Sequence, residues 1–237
     1  MDTVIEDLSQ ISLNDEEKKL EELAPIEIKK DPTFVRDLFR HSRMYSTWIN
    51  VDYNLPYTLI APGGKIYREI ETKFKNDWLF HDSSAELHKI VRIQNPFLCL
   101  QYELKLKQKK ELHGSVQENQ LYHGTKGYNV DSICQGNFDW RRLGASGYRS
   151  SKFGQGVSFS PHSSYASDYP RKYFEHPRVM ILAREMEISR CWGHDGMVIP
   201  PLPHDTSGDL SSNNNVVVKY FDNEFYPEFI IYYYYNK

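Results

Sequence analysis

The run "VVVKYFDNEFYPEFIIYYYY" (216–235) restricts the fold more than any other stretch. Its β-branched and aromatic side chains lose rotamer freedom in a helix and pack well on a pleated surface. The break at Asp222–Glu224 supplies a turn, so the run predicts two strands. The same grammar extends back to residue 113. "QLYHG" reads as a strand ending at glycine, "SKFGQGVSFSP" as a glycine turn feeding a strand, and "RVMILARE" as an apolar strand. Between them, "NVDSICQG" reads as two helical turns capped by Asn129 and stopped at Gly136, and "SSYASDYP" as one turn ended by Pro170. The breaker-rich "PPLPHDTSGDLSSNNN" reads as a long loop.

Before residue 113 the spacing is helical. Ile66, Ile70, Phe74 and Trp78 fall every four residues on one face of a helix over 65–78. A second helix is predicted over 83–112, with a serine cap answered by Glu86 and a break or kink at Pro96. Its basic run Lys105–Lys110 reads as a solvated helix end. Helices first and strands later make the class α+β.

The first 30 residues carry nine acidic and four basic side chains and no aromatic ring. We therefore expect a mobile acidic leader over 1–44, with one transient helix through "NDEEKKLEEL", and a folded domain over 45–237. The remainder is close to neutral, which gives no field to recruit nucleic acid, and the aromatics lack the basic interleaving of a base-stacking groove. Cys99, Cys134 and Cys191 lie far apart without a CxxC pair, which fits a reducing, intracellular compartment. No apolar run reaches the length of a membrane span. The histidines show neither HExxH nor paired Cys/His spacing, so no metal is expected. "FGQG" lacks the third glycine of a dinucleotide turn and reads as a tight turn. One corner stands apart. His123 is followed at once by Gly124 and Thr125, and a histidine that only packs needs no glycine beside it.

"LYHGT…VDSICQGNFDWR", then "FGQGVSFS…SYASDY", "MILARE" and "YPEFIIYY", resembles the catalytic domain of the poly(ADP-ribose) polymerase superfamily. The likeness is greatest to its mono-ADP-ribosylating branch, which includes the TCDD-inducible member, and covers roughly residues 45–235. It implies an ADP-ribosyltransferase fold of two apposed antiparallel sheets flanked by helices, with NAD⁺ as co-substrate in a cleft and no metal. It further implies that His123 bonds the ribose next to nicotinamide and that Gly124, with Thr125 beside it, grips the carboxamide through its backbone. Tyr169 would supply an aromatic wall of the pocket, while Tyr165 reads as core rather than site. Breaking the bond to nicotinamide passes through an oxocarbenium-like state, close in charge character to glycoside hydrolysis.

Three positions depart from the family's pattern. Its catalytic glutamate falls at Ile230, which implies transfer of single units and no polymer; Glu228 is out of register with that slot, although simple alternation puts both on one face. Its pocket tyrosine falls at Ser158, a loss of about 1–3 kcal/mol of stacking. Its carboxamide-binding serine falls at Ala166, with Ser167 next door as a substitute of unknown direction. Two readings follow. One is a protein mono-ADP-ribosyltransferase whose acceptor is another protein or itself. The other is a family fold that has lost productive NAD⁺ binding and serves as an interaction module. An NAD⁺ glycohydrolase is a third, lesser alternative.

Overall fold

The computed structural model describes residues 32–79, 85–142, 152–169 and 177–235. The helix expected through "NDEEKKLEEL", and His81 and His176, lie outside those residues. In chain order the elements are α1 (Pro32–Phe39), β1 (Thr58–Ile60), α2 (Gly64–Asn76), β2 (Glu86–Gln94), α3 (Pro96–His113), β3 (Gln117–Thr125) and α4 (Val130–Gly136). They continue as β4 (Val157–Phe159), α5 (Ser163–Ala166), β5 (Arg178–Glu187), β6 (Arg190–Trp192), β7 (Thr206–Gly208), β8 (Val217–Lys219) and β9 (Phe225–Tyr234). A five-stranded sheet has the order β1-β2-β9-β5-β3, and a four-stranded sheet the order β4-β8-β7-β6. All pairings are antiparallel except β6 with β7.

Alternation along the strands gives the large sheet two different faces. Val91, Ile93, Leu121, Ile181 and Ile230 point toward the small sheet and pack with Val157, Phe159 and Val217. The other face is covered by helices: Ile70 and Phe74 of α2 lie against Tyr122, Met180 and Ile231. Leu98, Tyr102 and Leu106 of α3 pack with Met186 and Tyr226.

Several sequence expectations change. Residues 86–94 form a strand, not the first half of a helix, because the segment is hydrogen-bonded into the sheet along its length, 86–92 in register with β9 and 92–94 with β1. Pro96 then starts α3 rather than kinking a helix; Asn95 is the cap, and its side chain accepts from the Leu98 N–H at 3.1 Å. Thr206–Gly208, inside the expected long loop, is strand β7 between β8 and β6. At α4, Asn129 makes no capping bond, and the stop is Asn137 at φ 69°. Helix α1 lies before residue 45, and its Phe39 is fully buried, 4.5 Å from the Trp48 ring.

The largest correction concerns Lys109. Although placed by the sequence on a solvated helix end, it is buried and pairs with Asp205 and Glu224. Lys219 lies next to it and reaches from β8 to the Met186 carbonyl of β5 at 2.7 Å, Thr206 Oγ1 at 2.8 Å and Glu224 at 2.9 Å. Glu185 of β5 faces the same cluster and takes a bond from Asn119 at 3.0 Å. Burial opposes charge on Lys219, but Glu185, Glu224 and Asp205 together hold its pKa above the usual value. Burial likewise works against the Asp205 carboxylate, yet Lys219 and Lys109 hold it at about 2. These five side chains tie α3 and both sheets at one end. Breaking such a cluster by removing one partner leaves an uncompensated buried charge, which costs about 3–5 kcal/mol. Lys109→Ala should therefore lower unfolding stability in urea by about that amount, while exposed Lys107→Ala should change it by less than about 0.5 kcal/mol. Equal effects from the two would contradict this account.

Candidate active site

Among the described residues one isolated bridge joins the edges of the two sheets. β3 is the last strand of the large sheet and β4 the first of the small one. Between them Tyr122 N–H donates to the Ser160 carbonyl at 2.7 Å, and Ser160 N–H donates back at 2.8 Å. On an antiparallel edge strand, alternate residues direct their backbone groups outward. Since Tyr122 does so, Gly124 also presents its N–H and C=O to the open edge, and among the described residues nothing bonds to them. A donor and an acceptor side by side match a primary carboxamide. The glycine has its own reason. A Cβ there would overlap the Ala166 carbonyl oxygen, so only glycine lets α5 approach β3.

His123 lies on the opposite face of β3. Its Nδ1 is 2.9 Å from the Ser158 carbonyl oxygen. A carbonyl only accepts, so Nδ1 carries the hydrogen and Nε2 keeps a lone pair. The ring stands edge-on to Phe138 at 4.9 Å and near Phe159 at 5.7 Å. Burial pushes the imidazole pKa below its usual value, and the bond to Ser158 offsets part of that. The residue keeps partial solvent contact. At neutral pH His123 is therefore an uncharged acceptor through Nε2.

The other expected site residues divide. Ser158 pairs with Val218, and its neighbours Val157 and Phe159 point into the core between the sheets, so alternation turns Ser158 outward. On that side Tyr165 packs beside Val218, 6.2 Å ring to ring from Tyr169, which is 37% exposed. Thr125 is buried, with its hydroxyl accepting from Asn129 at 3.3 Å. Ala166 is buried among apolar groups behind Gly124. Ser167 is fully buried and donates its hydroxyl to the Ser164 carbonyl at 2.6 Å, so its oxygen is engaged inside the helical turn. His123, Ile181 and Ile230 share one row across β3, β5 and β9. Two strand spacings separate the ends of that row, about 10 Å, and Ile230 is fully buried.

Glu228 differs from the simple alternation. The register of β5 with β9 runs Leu182↔Phe229 and then Ala183↔Pro227, which leaves Glu228 as an extra residue. That bulge turns it to the helix-covered face, beside Phe229 rather than beside Ile230. There it is 1% exposed and meets Arg184 at 2.9 Å, Gln120 at 2.9 Å and Arg92 at 3.7 Å. Glu228 is a buried ion-pair residue on the far side of the sheet. The sequence reading also passed over Phe138, Phe159 and the Tyr122–Ser160 bridge. The available signal was "GNF", a glycine–asparagine helix stop that delivers an aromatic ring to the next position.

Among the described residues no group of three His, Cys, Asp or Glu side chains could hold a metal ion. No helix among them is long and apolar enough to cross a membrane.

The family model for the poly(ADP-ribose) polymerase catalytic domain matches residues 65–192. The chain is 33% identical over 156 residues to the Mus musculus protein mono-ADP-ribosyltransferase PARP12, covering 62% of this chain and 21% of that protein. It is 27% identical over 220 residues to Mus musculus protein mono-ADP-ribosyltransferase PARP11, covering 79% of this chain and 64% of the relative. With Homo sapiens protein mono-ADP-ribosyltransferase PARP14 it shares 25% identity over 183 residues, 73% of this chain and 10% of the other. The match thus spans about a fifth of PARP12 and just under two thirds of PARP11.

A lowered histidine pKa means that the folded chain binds this proton less readily than the unfolded chain. The stability it conditions is intact above the unfolded value of about 6.5 and is lost as pH falls through that value toward the folded one. A ¹⁵N NMR titration should give His123 a midpoint below about 6.5, with the hydrogen on Nδ1 in the neutral form. A midpoint at or above that value would contradict the geometry.

Proposed function

Because the chain belongs to the poly(ADP-ribose) polymerase catalytic-domain family, we propose that it is a protein mono-ADP-ribosyltransferase that uses NAD⁺ as co-substrate. The observation that carries this reading is the pairing at the β3 edge: an outward backbone donor and acceptor on Gly124 beside an uncharged His123 with Nε2 free to accept. Gly124 holds the nicotinamide carboxamide, Nε2 accepts from a hydroxyl of the adjoining ribose, and Tyr169 lies along the nicotinamide ring. The bond between ribose C1 and the nicotinamide nitrogen breaks, and its electron pair leaves with nicotinamide. An acceptor side chain bonds to C1 and loses its proton. Fixing both ends of the breaking bond supplies orientation, and a neutral histidine avoids placing positive charge beside an oxocarbenium-like carbon.

With Ile230 in the row of His123 and Glu228 on the other face, no carboxylate of β9 is available to activate an acceptor hydroxyl on a bound ADP-ribose. The reaction therefore stops at one unit. The acceptor is a protein, with the chain itself as one case. We place the reaction inside the cell, which the three free cysteines support.

One observation favours a second reading. Ser158 has no ring, Ala166 has no hydroxyl and the Ser167 hydroxyl is engaged, so the nicotinamide end relies on backbone and on Tyr169. A family fold that no longer binds NAD⁺ productively, kept as an interaction module, would have this composition.

Labelled NAD⁺ incubated with purified protein separates the two. Wild type should acquire one covalent ADP-ribose per modified site by mass spectrometry, and His123→Ala should lose it. Ser158→Tyr should tighten NAD⁺ binding by about ten- to hundredfold, the worth of one aromatic stack. Absence of labelling in wild type, with labelling in Ser158→Tyr, would establish the second reading. Absence in both would refute the transferase.

A further inference from the structure

Function at this site rests on which nitrogen of His123 carries the hydrogen and where the ring points. The Ser158 carbonyl fixes one end of the imidazole. Something must also fix its tilt, because a single hydrogen bond leaves a ring free to swing about it. The contact that does so comes from the segment after α4. Asn137 ends that helix at φ 69°, a conformation that a residue with a Cβ adopts only when its surroundings hold it there. Its side chain is bonded on both sides: Oδ1 accepts from the Phe138 N–H at 3.0 Å, and Nδ2 donates to the Phe225 carbonyl at 3.1 Å. The first bond orients the Phe138 backbone, and the second anchors it to the start of β9.

Phe138 is thereby delivered under the imidazole, 4.9 Å away with the ring planes at 64°. It is 4% exposed and is itself held edge-on by Phe159 at 5.2 Å and by Phe225 at 5.7 Å. Phe225 is the residue whose carbonyl Asn137 holds, so the chain of contacts closes on itself. Edge-to-face contacts of this kind are directional, unlike general apolar burial.

We infer that Asn137 and Phe138 are positioning residues for His123, holding its ring so that Nδ1 stays on the Ser158 carbonyl and Nε2 faces the open edge of β3. The inference rests on the proposed function only for its effect on rate. The ring geometry it assigns can be read with no NAD⁺ present.

The test uses two variants of the full chain chosen to keep the fold. Asn137→Gly preserves the left-handed backbone and removes both side-chain bonds. Phe138→Leu keeps the position apolar and removes the ring edge. In wild type, ¹⁵N NMR should show His123 as a single tautomer with hydrogen on Nδ1. In both variants the two nitrogens should move toward averaged shifts, while a urea melt still shows one cooperative transition. The NAD⁺-dependent labelling rate should fall by about a hundredfold, the scale of a misplaced reacting group, chiefly in kcat rather than in KM for NAD⁺. A general structural role would lower the unfolding midpoint and leave the tautomer unchanged. An unchanged His123 spectrum in both folded variants overturns the inference. If wild type shows the single tautomer and the variants lose it, but no protein is labelled, the positioning role stands and the transferase reading fails.

Discussion

Two hydrogen bonds between Tyr122 and Ser160 set the phase of everything around the site. They require the Tyr122 backbone to face outward from the large sheet, and the two-residue repeat of a strand then assigns every neighbour. Gly124 must face outward as well, and His123 must put its side chain on the face that meets the small sheet. The same bridge brings β4 within reach, so that the Ser158 carbonyl meets Nδ1. At the other end the cluster around Lys219 ties β8 to β5. One contact is directional and lies at an edge; the other is ionic and fully enclosed. Between them the sheets have little freedom to change their relative position.

The division of labour at the candidate site follows from that frame. In the reaction we propose, backbone atoms do the recognition at Gly124, where substitution is blocked by the approach of α5. In the same proposal a side chain does it at His123, where burial keeps the ring neutral and the Ser158 carbonyl fixes its tautomer. Ser158 contributes its backbone to the histidine, so the His123 bond does not depend on which side chain stands there. That separation explains how the geometry at His123 and Gly124 holds with a serine at 158 and an alanine at 166.

Much of this was legible from the residues. The helix over 65–78, the strands at "QLYHG", "VSF" and "RVMILARE", and the two strands near the C-terminus all follow from periodicity and turn chemistry. What failed, failed for local reasons. Residues 86–94 carry both helical spacing and a strand's β-branched core, and only the flanking strands decide between them. Lys109 sits in a run of lysines whose composition is that of a solvent face; its burial depends on Asp205 and Glu224, far away in sequence. Glu228 seemed to share a face with Ile230 because alternation has no way to anticipate an unpaired residue. The histidine was visible in the sequence. The aromatic support beneath it was not, since Phe138, Phe159 and Phe225 come together only when the two sheets close.

The bulge in β9 has a wider meaning. Glu228 is kept from the face that carries His123 by one surplus residue in the backbone and by two arginines, not by any lack of a carboxylate in the sequence. Shortening β9 by that residue would bring the glutamate to the row of Leu121 and Ala183, on the face that carries His123. In a scaffold built this way, the kind of chemistry on offer is a matter of counting as much as of spelling. Insertions and deletions in the final strand can therefore move the fold between chemical repertoires without altering any side chain that an alignment would mark as catalytic.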